Sequence, residues 1–527
     1  MVAVSGAHLV IVTSLISSLL KVLHAPRRFS ITLLVLLMAA YTVMAGMPIS
    51  CIRAAVMSSI GILSLLGKRR PSALNALGVV IFAIVCSAPH AAVSISFALS
   101  ALATMGIVLF GPLIEILVER ILGTMPDFLK QSLALTISAS FLAQWYASSL
   151  FKTMPLISPV ANVVCAPLLP VCCSFGIVAS ACGALGLPIA APLMQVSSLT
   201  AEALIATVTF FSSVPYASIP VSIDYFAALF AATASGAFVW IVWDKLFDKA
   251  FFITCIASVL ALAATLWFSP MVDAIVMLDV GQGDSFLVTS EGKSMLIDTG
   301  NQDRRLLDQL ARCRIVHLDC VVITHADDDH CGSLDALQKA VVVDTVFLAE
   351  GMLECDDEKC RQLVSQAHEM SNHVIGLKLH DGFSIGSFKA VVLWPERLSD
   401  NGGNADSIVL RISYDADRDG CEDLSALFLG DAERDQLEEI IERSAIGCID
   451  ILKVAHHGSR NALSSDQAKH LKPKIALIGV GENNRYGHPT DEALEILADV
   501  GCMVLRSDRD GGVSLEARKG EIVLRRL

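Results

Sequence analysis

Long apolar stretches fill the first half of the chain and restrict its fold more than any other feature. A helix needs about 20 apolar residues to cross the hydrocarbon core of a bilayer. We expect eight to ten membrane spans, some of them broken or re-entrant where five prolines crowd between residues 155 and 188. The stretches lie near residues 8–24, 30–47, 51–66, 73–88, 92–118, 129–151, 156–186, 188–213, 222–243 and 250–268.

Charge divides the chain near Pro270. Residues 1–270 hold 12 Lys and Arg against 7 Asp and Glu, whereas residues 271–527 hold 27 against 45. The chain is 54% hydrophobic, which is too apolar for an ordinary soluble enzyme. The sequence therefore predicts a polytopic α-helical membrane domain over residues 1–270. An acidic globular domain follows over residues 271–527, and it is long enough to bury a core of its own.

Basic residues of the first half cluster in short loops, which sets an expected orientation. Loops rich in Lys and Arg face the cytoplasm. If the last such loop is inside, the stretch 250–268 runs outward and the acidic domain lies on the external face of the cell membrane. The loop residues are Lys21, Arg27, Arg28, Lys68, Arg69, Arg70, Lys245 and Lys249.

Cysteine spacing in the second half argues against a structural zinc site, because no Cys-x-x-Cys pair occurs there. Cys355 and Cys360 could form a local disulfide if that half is external. Two free thiols on a surface segment fit the sequence equally well.

From residue 273 onward, short β-branched runs alternate with amphipathic helices. This pattern favours a two-sheet sandwich flanked by helices, with functional residues on loops at strand ends. The predicted strands are 274–280, 284–289, 294–298, 319–324, 388–393, 407–413, 425–430, 449–454, 475–480, 503–506 and 521–525. The predicted helices are 303–313, 332–340, 358–370, 432–444, 464–471 and 489–499.

A cluster of metal-ligand side chains, His325-Ala-Asp-Asp-Asp-His330, follows one of these apolar runs. Alternate side chains of an extended segment point the same way, so His325, Asp327 and Asp329 can converge while the turn brings in His330. Imidazole with carboxylate suits Zn²⁺ or Mn²⁺. A solvated acidic loop is the plain alternative. Two further clusters, Asp431 and His456–His457, each follow an apolar run and favour a dinuclear hydrolytic site instead.

Six motifs of the second half occur in an order that resembles the metallo-β-lactamase-fold domain of the ComEC family, the DNA-uptake channel proteins of natural competence. The resemblance implies an αββα fold. The usual His-x-His-x-Asp-His signature of that fold has Asp327 in place of its second His. The motifs are Asp279-Val-Gly-Gln-Gly-Asp284, Leu296-Ile-Asp-Thr-Gly300, His325–His330, Leu429-Gly-Asp431, Ala455-His-His-Gly-Ser459 and Tyr486-Gly-His-Pro489.

The first half is similar to the competence domain of the same family. Its matching elements are Ser5-Gly-Ala-His8, Met47-Pro-Ile-Ser-Cys-Ile-Arg53, and Asn162 with the prolines that follow it. The resemblance implies that Ser5, His8, Arg53 and Asn162 belong to a channel. The family usually begins with further spans and an external OB-like barrel, whereas this chain begins at what resembles the middle of the competence domain. Ser94 and Ala98 stand where the family tends to carry Asp and Gln.

Metal-ligand roles follow from the chemistry read beside the resemblance. Two metal ions, Mn²⁺ or Zn²⁺, held about 3.5–4 Å apart can activate a hydroxide and clamp a phosphodiester. We assign His325 and Asp327 to one ion, and Asp329 and His330 to the other. Asp431 would bridge the two ions. Asp329 is also placed among the catalytic residues.

Several roles stay open at the level of sequence. One of His456 and His457 completes the shell of the second metal, and neighbouring residues of a strand face opposite ways, so the sequence does not decide which. Asp298 orients ligands or is a turn residue, and Asp284 is placed behind the ligands with it. Asn404, together with Ser407, either contacts substrate or is an ordinary loop residue before a strand. His488, with Tyr486 nearby, protonates the leaving group or is a turn histidine.

Three functions are compatible with the sequence. The favoured one is a DNA-internalisation channel with a fused metal-dependent nuclease that degrades the strand not taken up. The others are a membrane-tethered phosphodiesterase or esterase acting on envelope substrates, and a channel with an inactive hydrolase domain. Expected partners are the translocated single strand of DNA, the lipid bilayer, a separate DNA-receptor or duplex-binding protein and a cytoplasmic translocation ATPase. Oligomerisation stays open.

The acidic charge of the second half sets a condition on the favoured function. A domain of this charge does not grip DNA by counterion release, and its basic residues, Lys453 among them, are scattered along the sequence. The substrate is therefore expected to be delivered by the membrane half, by a partner or by the metal ions.

Overall fold

The computed structural model describes residues 6–66, 72–87, 94–246, 272–416, 419–420, 422–444, 446–482, 484–518 and 521–527. These residues form two compact units, one helical and one rich in β-strands. The expected domain boundary near Pro270, the apolar stretch 250–268 and Ser5 lie outside the described residues.

Ten helices account for most of the described residues before residue 247. Four segments are long and apolar enough to cross a membrane: Arg27–Met44, Ile95–Leu122, Ser158–Ala184 and Ala190–Ser212. Four shorter apolar helices accompany them within the described residues. The helices are α1 (Gly6–Val22), α2 (Arg27–Met44), α3 (Ile49–Leu66), α4 (Ala73–Ser87), α5 (Ile95–Leu122), α6 (Asp127–Phe151), α7 (Ser158–Cys165), α8 (Leu168–Ala184), α9 (Ala190–Ser212) and α10 (Tyr225–Leu246), and two short strands are β1 (Thr153–Pro155) and β2 (Ser218–Pro220).

Small residues and prolines shape this helical unit. A Cβ atom on Gly106 of α5 would lie 2.2 Å from the carbonyl oxygen of Ser138 on α6, so only glycine allows the two backbones to approach this closely. α7 and α8 are separate helices that meet at Pro167, whose ring prevents a continuous helical ladder. Helices α1, α2 and α3 pack around Leu9, Met38 and Ala55.

The second unit alternates strands with short helices. Its strands are β3 (Ala274–Met277), β4 (Phe286–Ser290), β5 (Lys293–Ile297), β6 (His317–Val322), β7 (Val342–Ala349), β8 (His373–Leu377), β9 (Gly382–Ile385), β10 (Phe388–Trp394), β11 (Val409–Tyr414), β12 (Leu424–Phe428), β13 (Ile451–Lys453), β14 (Ile475–Ile478), β15 (Met503–Arg506), β16 (Val513–Arg518) and β17 (Glu521–Arg526). Its helices are α11 (Asp303–Arg312), α12 (Asp328–Cys331), α13 (Leu334–Ala340), α14 (Glu350–Leu353), α15 (Glu358–Met370), α16 (Arg434–Ser444), α17 (Ser465–Leu471), α18 (Asp491–Asp499) and α19 (Ser507–Asp510).

Two sheets face each other across a common core. The first has the strand order β17-β16-β3-β4-β5-β6-β7-β8 and the second β15-β14-β13-β12-β11-β10-β9. The rings of Phe286 on β4 and Phe428 on β12 meet edge to face at 5.3 Å, which joins the inner faces of the two sheets. The predicted αββα sandwich is confirmed.

The direction of the strands determines where loops gather. Strands β5 to β8 run parallel in one sheet, and β12 to β15 run parallel in the other. The carboxyl ends of neighbouring parallel strands lie at one edge of a sheet. β4 is antiparallel to β5, and β11 to β12, so the residues that precede β4 and β11 reach the same edges.

Candidate metal centre

The candidate centre lies where the carboxyl ends of the parallel strands meet. The loops after β5 and β6 carry Asp298 and the segment from His325 to His330. The loops after β12 and β13 carry Asp431 and the pair His456–His457. Asp284 precedes β4 and joins them. Side chains that are up to 173 positions apart along the chain are thus brought to one place by strand order.

Two buried histidines are oriented by hydrogen bonds from one ring nitrogen. His330 donates from Nδ1 to Oδ2 of Asp298 at 2.7 Å, and His457 donates from Nδ1 to the carbonyl oxygen of Gly479 at 2.7 Å. Each acceptor fixes the proton on Nδ1 and leaves Nε2 free. This is the usual arrangement of histidines that bind metal through Nε2.

His325 is the third fully buried imidazole of the centre. Its Nδ1 lies 3.1 Å from the hydroxyl of Thr324 and 3.2 Å from that of Ser407. Its Nε2 is buried and has no hydrogen-bond partner among the residues that the structure describes, with Oδ2 of Asp327 3.7 Å away. A buried, unsatisfied nitrogen is costly unless it binds a ligand, so His325 fits the role of a metal ligand.

The carboxylates complete a set of closely spaced donor atoms. Oδ1 of Asp431 lies 3.2 Å from Nε2 of His330, and Oδ2 lies 3.8 Å from Nε2 of His457. Oδ2 of Asp329 lies 3.1 Å from Nε2 of His457. Ligand atoms around a tetrahedral ion at about 2.0–2.2 Å are separated by roughly 3.3 Å. The residues present therefore fit a divalent cation.

Asp284 lies close to these ligand atoms. Single ligand atoms of Asp284, His330, Asp431 and His457 all lie within 4.8 Å of one another, and all four residues are buried. Gly283 permits this approach, since a Cβ atom there would lie 2.3 Å from the carbonyl oxygen of Asp329. The sequence predicts that Asp284 supports the ligands from outside the metal shell, and this role stays a prediction.

The buried charged groups of the cluster shift one another's pKa values. Burial would raise the pKa of Asp431, but the neighbouring histidines and Lys453 outweigh burial and hold that pKa well below its ordinary value. Burial would lower the pKa of His330, but Asp431 and Asp298 raise it well above its ordinary value. Burial, together with the charge of His330, lowers the pKa of His325 to about 4. Because imidazole binds metal only when it is neutral, such a cluster exchanges protons for a divalent cation.

The adjacent histidines separate because the backbone turns at both of them. His456 and His457 have φ values of 46° and 53°, in the left-handed region. This turn places His457 in the buried cluster. His456 is 32% exposed in its side chain, and its Nδ1 lies 2.9 Å from Oε1 of Glu433. Ser459 donates to the same Glu433 oxygen, and the hydrogen bond that His456 donates to Glu433 raises the pKa of His456.

The remaining predicted residues lie at the rim of the centre. The amide nitrogen of Asn404 is 3.5 Å from the ring of His456, whose Nε2 is 3.9 Å from Oδ2 of Asp431. The ring of His488 lies 5.6 Å from that of His456 and stacks on Tyr486. Burial and neighbouring histidines lower the pKa of His488. A proton donor or acceptor at this rim would face whatever substrate the centre binds.

Three residues of the centre were not singled out from the sequence. Glu433 contacts His456, and Lys359 donates to Oδ1 of Asp327 at 2.6 Å. Lys453 is only 1% exposed and lies between two carboxylates of the cluster. Lys453 is therefore too buried to belong to a basic surface that binds DNA. The one sequence signal for it is a single Lys within the apolar run from Ile449 to Ala455.

The predicted channel residues belong to the helical unit. His8 lies on α1 and Arg53 on α3, and these two helices pack on each other. Asn162 lies on α7, with its amide nitrogen 3.5 Å from the hydroxyl of Ser158, and α7 packs against α9. A channel role for these residues stays a prediction.

Cys355 and Cys360 are both free thiols in the structure. Cys360 donates from Sγ to the carbonyl oxygen of Asn401 at 3.1 Å, and burial raises its pKa to about 12. Of the two alternatives that the sequence left open, the structure has the reduced pair.

Comparison with known proteins matches both halves of the chain. Residues 1–246 match the family described as Competence protein, and residues 278–352 match the Metallo-beta-lactamase superfamily. ComE operon protein 3 of Bacillus subtilis (strain 168) is 26% identical over 547 residues, which cover 97% of this chain and 67% of that protein.

Two further relatives match over shorter lengths. Recombination protein 2 of Haemophilus influenzae is 30% identical over 42% of this chain, and Competence protein ComA of Neisseria gonorrhoeae is 23% identical over 48%. This chain covers 26% and 34% of those two proteins.

Solved structures with a similar arrangement include two metalloenzymes. The diiron β-hydroxylase CmlA from Streptomyces venezuelae is 14% identical with a TM-score of 0.33, over 47% of this chain and 55% of that one. The subclass B3 metallo-β-lactamase BJP-1 of Bradyrhizobium japonicum is 16% identical with a TM-score of 0.25, over 35% and 75%.

Proposed function

Since this chain belongs to the ComEC-type family of competence proteins, we propose that it is a DNA-internalisation channel protein whose second half is a metal-dependent nuclease. In this proposal the membrane helices conduct one strand of DNA, and the hydrolase domain degrades the strand that is not transported. The observation that carries the nuclease part is the buried cluster of imidazoles and carboxylates at one edge of the sandwich.

The proposed ligands divide into two groups. Asp329, His330, Asp431 and His457 are the proposed ligands of one divalent ion. Asp431 lies beside both His330 and His457, and Asp329 lies beside His457. Metal ions in such a site polarise a phosphoryl oxygen and lower the pKa of bound water. Mn²⁺ and Zn²⁺ are the proposed metals, because both accept nitrogen together with carboxylate oxygen.

The proposed second group is His325 with Asp327, and Asp431 would be shared between the groups. Lys359 occupies only Oδ1 of Asp327, so Oδ2 remains directed towards Nε2 of His325. Thr324 and Ser407 hold the other nitrogen of His325 and fix the direction of its ring. The two groups together give the proposed dinuclear centre.

In this proposal, histidines at the rim of the metal centre carry out proton transfer. Glu433 holds the Nδ1 proton of His456, which leaves Nε2 of His456 on the side of Asp431, where a leaving oxygen would emerge. His488 lies beside it, and its lowered pKa favours the neutral imidazole. His456, whose pKa is raised by its hydrogen bond to Glu433, would hold the proton that the leaving group takes up, and neutral His488 would accept a proton.

The acidic surface explains how substrate would be selected. With 45 acidic and 27 basic residues after residue 270, the hydrolase half repels polyphosphates in bulk solution. DNA would therefore be cut only when it is presented locally, as it is beside a channel. A nuclease with this property would spare DNA that is not being taken up.

The proposed topology gives a test of where degradation occurs. Lys245 and Lys249 are expected to lie on the cytoplasmic side and to place the hydrolase half outside the cell membrane. An alkaline phosphatase reporter fused after residue 270 should be active, whereas a fluorescent reporter that matures only in the cytoplasm should be dark. The opposite pair of signals would place the domain inside, and degradation would then follow entry.

Uptake itself is testable in the organism that carries this protein. Deleting the gene should abolish the entry of end-labelled duplex DNA into a compartment protected from added nuclease, because the proposed channel for the strand would be missing. The matched measurement is binding of the label to the cell surface, which should persist. If protected label enters as in the parent strain, the channel proposal fails, and release of choline-phosphate from envelope material becomes the assay for the alternative hydrolase.

A further inference from the structure

Lys453 is a buried lysine at the cluster, and its ammonium group is almost completely enclosed. It ends β13, a strand that lies between the parallel strands β12 and β14, and the residue is 1% exposed. Its neighbours along the chain, Leu452 and Val454, are fully buried. A buried ammonium group is strongly unfavourable unless it is paired, so this lysine must have a specific partner.

Three oxygen atoms surround the ammonium group of Lys453. Nζ donates to the carbonyl oxygen of Gly430 at 2.5 Å, forms an ion pair with Oδ2 of Asp284, and lies 3.5 Å from Oδ1 of Asp431. An ammonium group has donors and no acceptor, so these oxygens suit it. Because Nζ lies among these oxygens and has almost no exposed surface, Lys453 does not reach a phosphate of a substrate.

Asp284 is enclosed from the other side. Its Oδ1 lies 3.4 Å from Nδ1 of His457, and a Cβ atom on Gly479 would lie 2.3 Å from the same oxygen. Nδ1 is the ring nitrogen of His457 that bonds to the backbone, whereas Nε2 faces Asp329. The other oxygen of Asp284, Oδ2, lies 3.9 Å from Nε2 of His330, but it is paired with Lys453. Asp284 therefore lies among the ligand atoms with both of its oxygens next to protein groups.

We propose that Lys453 is a positioning residue whose ammonium group is the shared counter-ion of Asp284 and Asp431. It keeps Asp284 out of the metal shell and fixes Oδ1 of Asp431 beside His330, so that Oδ2 faces His456 and His457. Asp284 in turn draws the ammonium charge away from Asp431, which leaves that carboxylate available to metal. The inference rests on the proposed metal centre but is independent of DNA as the substrate.

The counter-ion role has a specific consequence for paired substitutions. In Asp284→Asn the lysine loses its nearer carboxylate and turns to Asp431, where it competes with metal for the same oxygen. In the double variant Asp284→Asn with Lys453→Met, both charges are gone and Asp431 is released. If Asp284 were itself a ligand, the double variant would still lack that ligand.

The experiment measures bound Mn²⁺ and Zn²⁺ per full-length chain purified in detergent, by elemental analysis over a series of free-metal concentrations. Thermal unfolding midpoints are recorded with and without metal. Asp284→Asn should bind metal about tenfold more weakly than the wild type, the scale of a lost supporting contact. The double variant should return to within about threefold of wild-type affinity, on the same scale. Lys453→Met alone should have the lowest unfolding midpoint without metal and the largest rise when metal is added.

Each outcome decides a different question. A double variant that binds metal as weakly as Asp284→Asn, or more weakly, overturns the counter-ion role and makes Asp284 a ligand. If Lys453→Met does not fold, the comparison of Asp284→Asn with the double variant still gives the answer. A wild-type chain that binds no metal refutes the proposed centre itself, whereas a metal-binding wild type with a metal-poor double variant refutes only this inference.

Discussion

Asp431→Asn is expected to remove nearly all bound divalent metal from the protein and to abolish hydrolysis. Asp431 directs one carboxylate oxygen towards His330 and the other towards His457, and its charge also acts on His325 of the second group. As the proposed bridging carboxylate it would serve both ions. Elemental analysis of the full-length chain in detergent, after incubation with Mn²⁺ or Zn²⁺, measures the loss. Substitution by Asn keeps the shape of the side chain and removes only its charge and one oxygen.

Two matched variants distinguish the loss of a metal ligand from the loss of a supporting hydrogen bond and from unfolding. Asp298→Asn weakens the hydrogen bond that orients His330 and should reduce metal affinity about 10- to 100-fold, because Asp298 acts through that ring. Asp450→Asn lies at the opposite end of β13, where the carboxylate pairs with Ser425 and Lys474, and should leave metal content unchanged. Wild-type metal content in Asp431→Asn would refute the bridging role, and equal losses in all three variants would indicate unfolding.

The strand-end clusters were predictable because period-two alternation and apolar runs are local properties. The run before His325 ends in a ligand motif, as do those before Asp431 and His456, and each run proved to be a strand of the sandwich. The ComEC-family resemblance that these motifs suggested is confirmed, as is the two-part architecture of membrane helices and metallo-β-lactamase fold. Local signals were sufficient to identify the edge of the fold at which chemistry occurs.

Four strands of the second unit, β7, β8, β9 and β16, were not predicted from the sequence, for physical reasons. β8 and β9 form sheet edges, and their residues are largely half-buried or exposed, so they lack an apolar run. β16 alternates apolar and polar residues only over Val513 to Arg518, and β7 carries Asp344 and Thr345 within its length. Edge strands and interrupted runs gain their stability from neighbouring strands rather than from their own sequence.

The interior of the centre could not be read from the sequence because it depends on distant contacts. Asp284, Asp431 and Lys453 meet only after three strands from two sheets have assembled. The separation of His456 from His457 requires two successive left-handed residues, which non-glycine side chains adopt only when surrounding structure imposes them. Neither feature has a signature in local composition or periodicity.

His330→Ala is expected to abolish DNA cleavage by the purified full-length protein in Mn²⁺, and Asp327→Ala should do the same. Each variant removes a proposed ligand, and emptying one position of a two-metal site destroys the alignment of water and phosphodiester. The wild type should hydrolyse single-stranded DNA at least as well as duplex DNA and without sequence preference, because no motif for base reading occurs in the chain. Release of acid-soluble label measures the rate.

The acidic surface of the hydrolase half should also weaken the binding of DNA. Binding should be weak and the apparent KM high, and additional divalent cation should lower it by screening the carboxylates, whereas monovalent salt at equal ionic strength should be less effective. Asp450→Asn again serves as the control and should cleave at the wild-type rate, since its ion pair with Lys474 lies away from the centre. A metal-loaded protein that leaves DNA intact but hydrolyses phosphomonoesters or choline-phosphate substrates would exclude the nuclease and favour the envelope hydrolase, because both activities would draw on the same cluster of imidazoles and carboxylates.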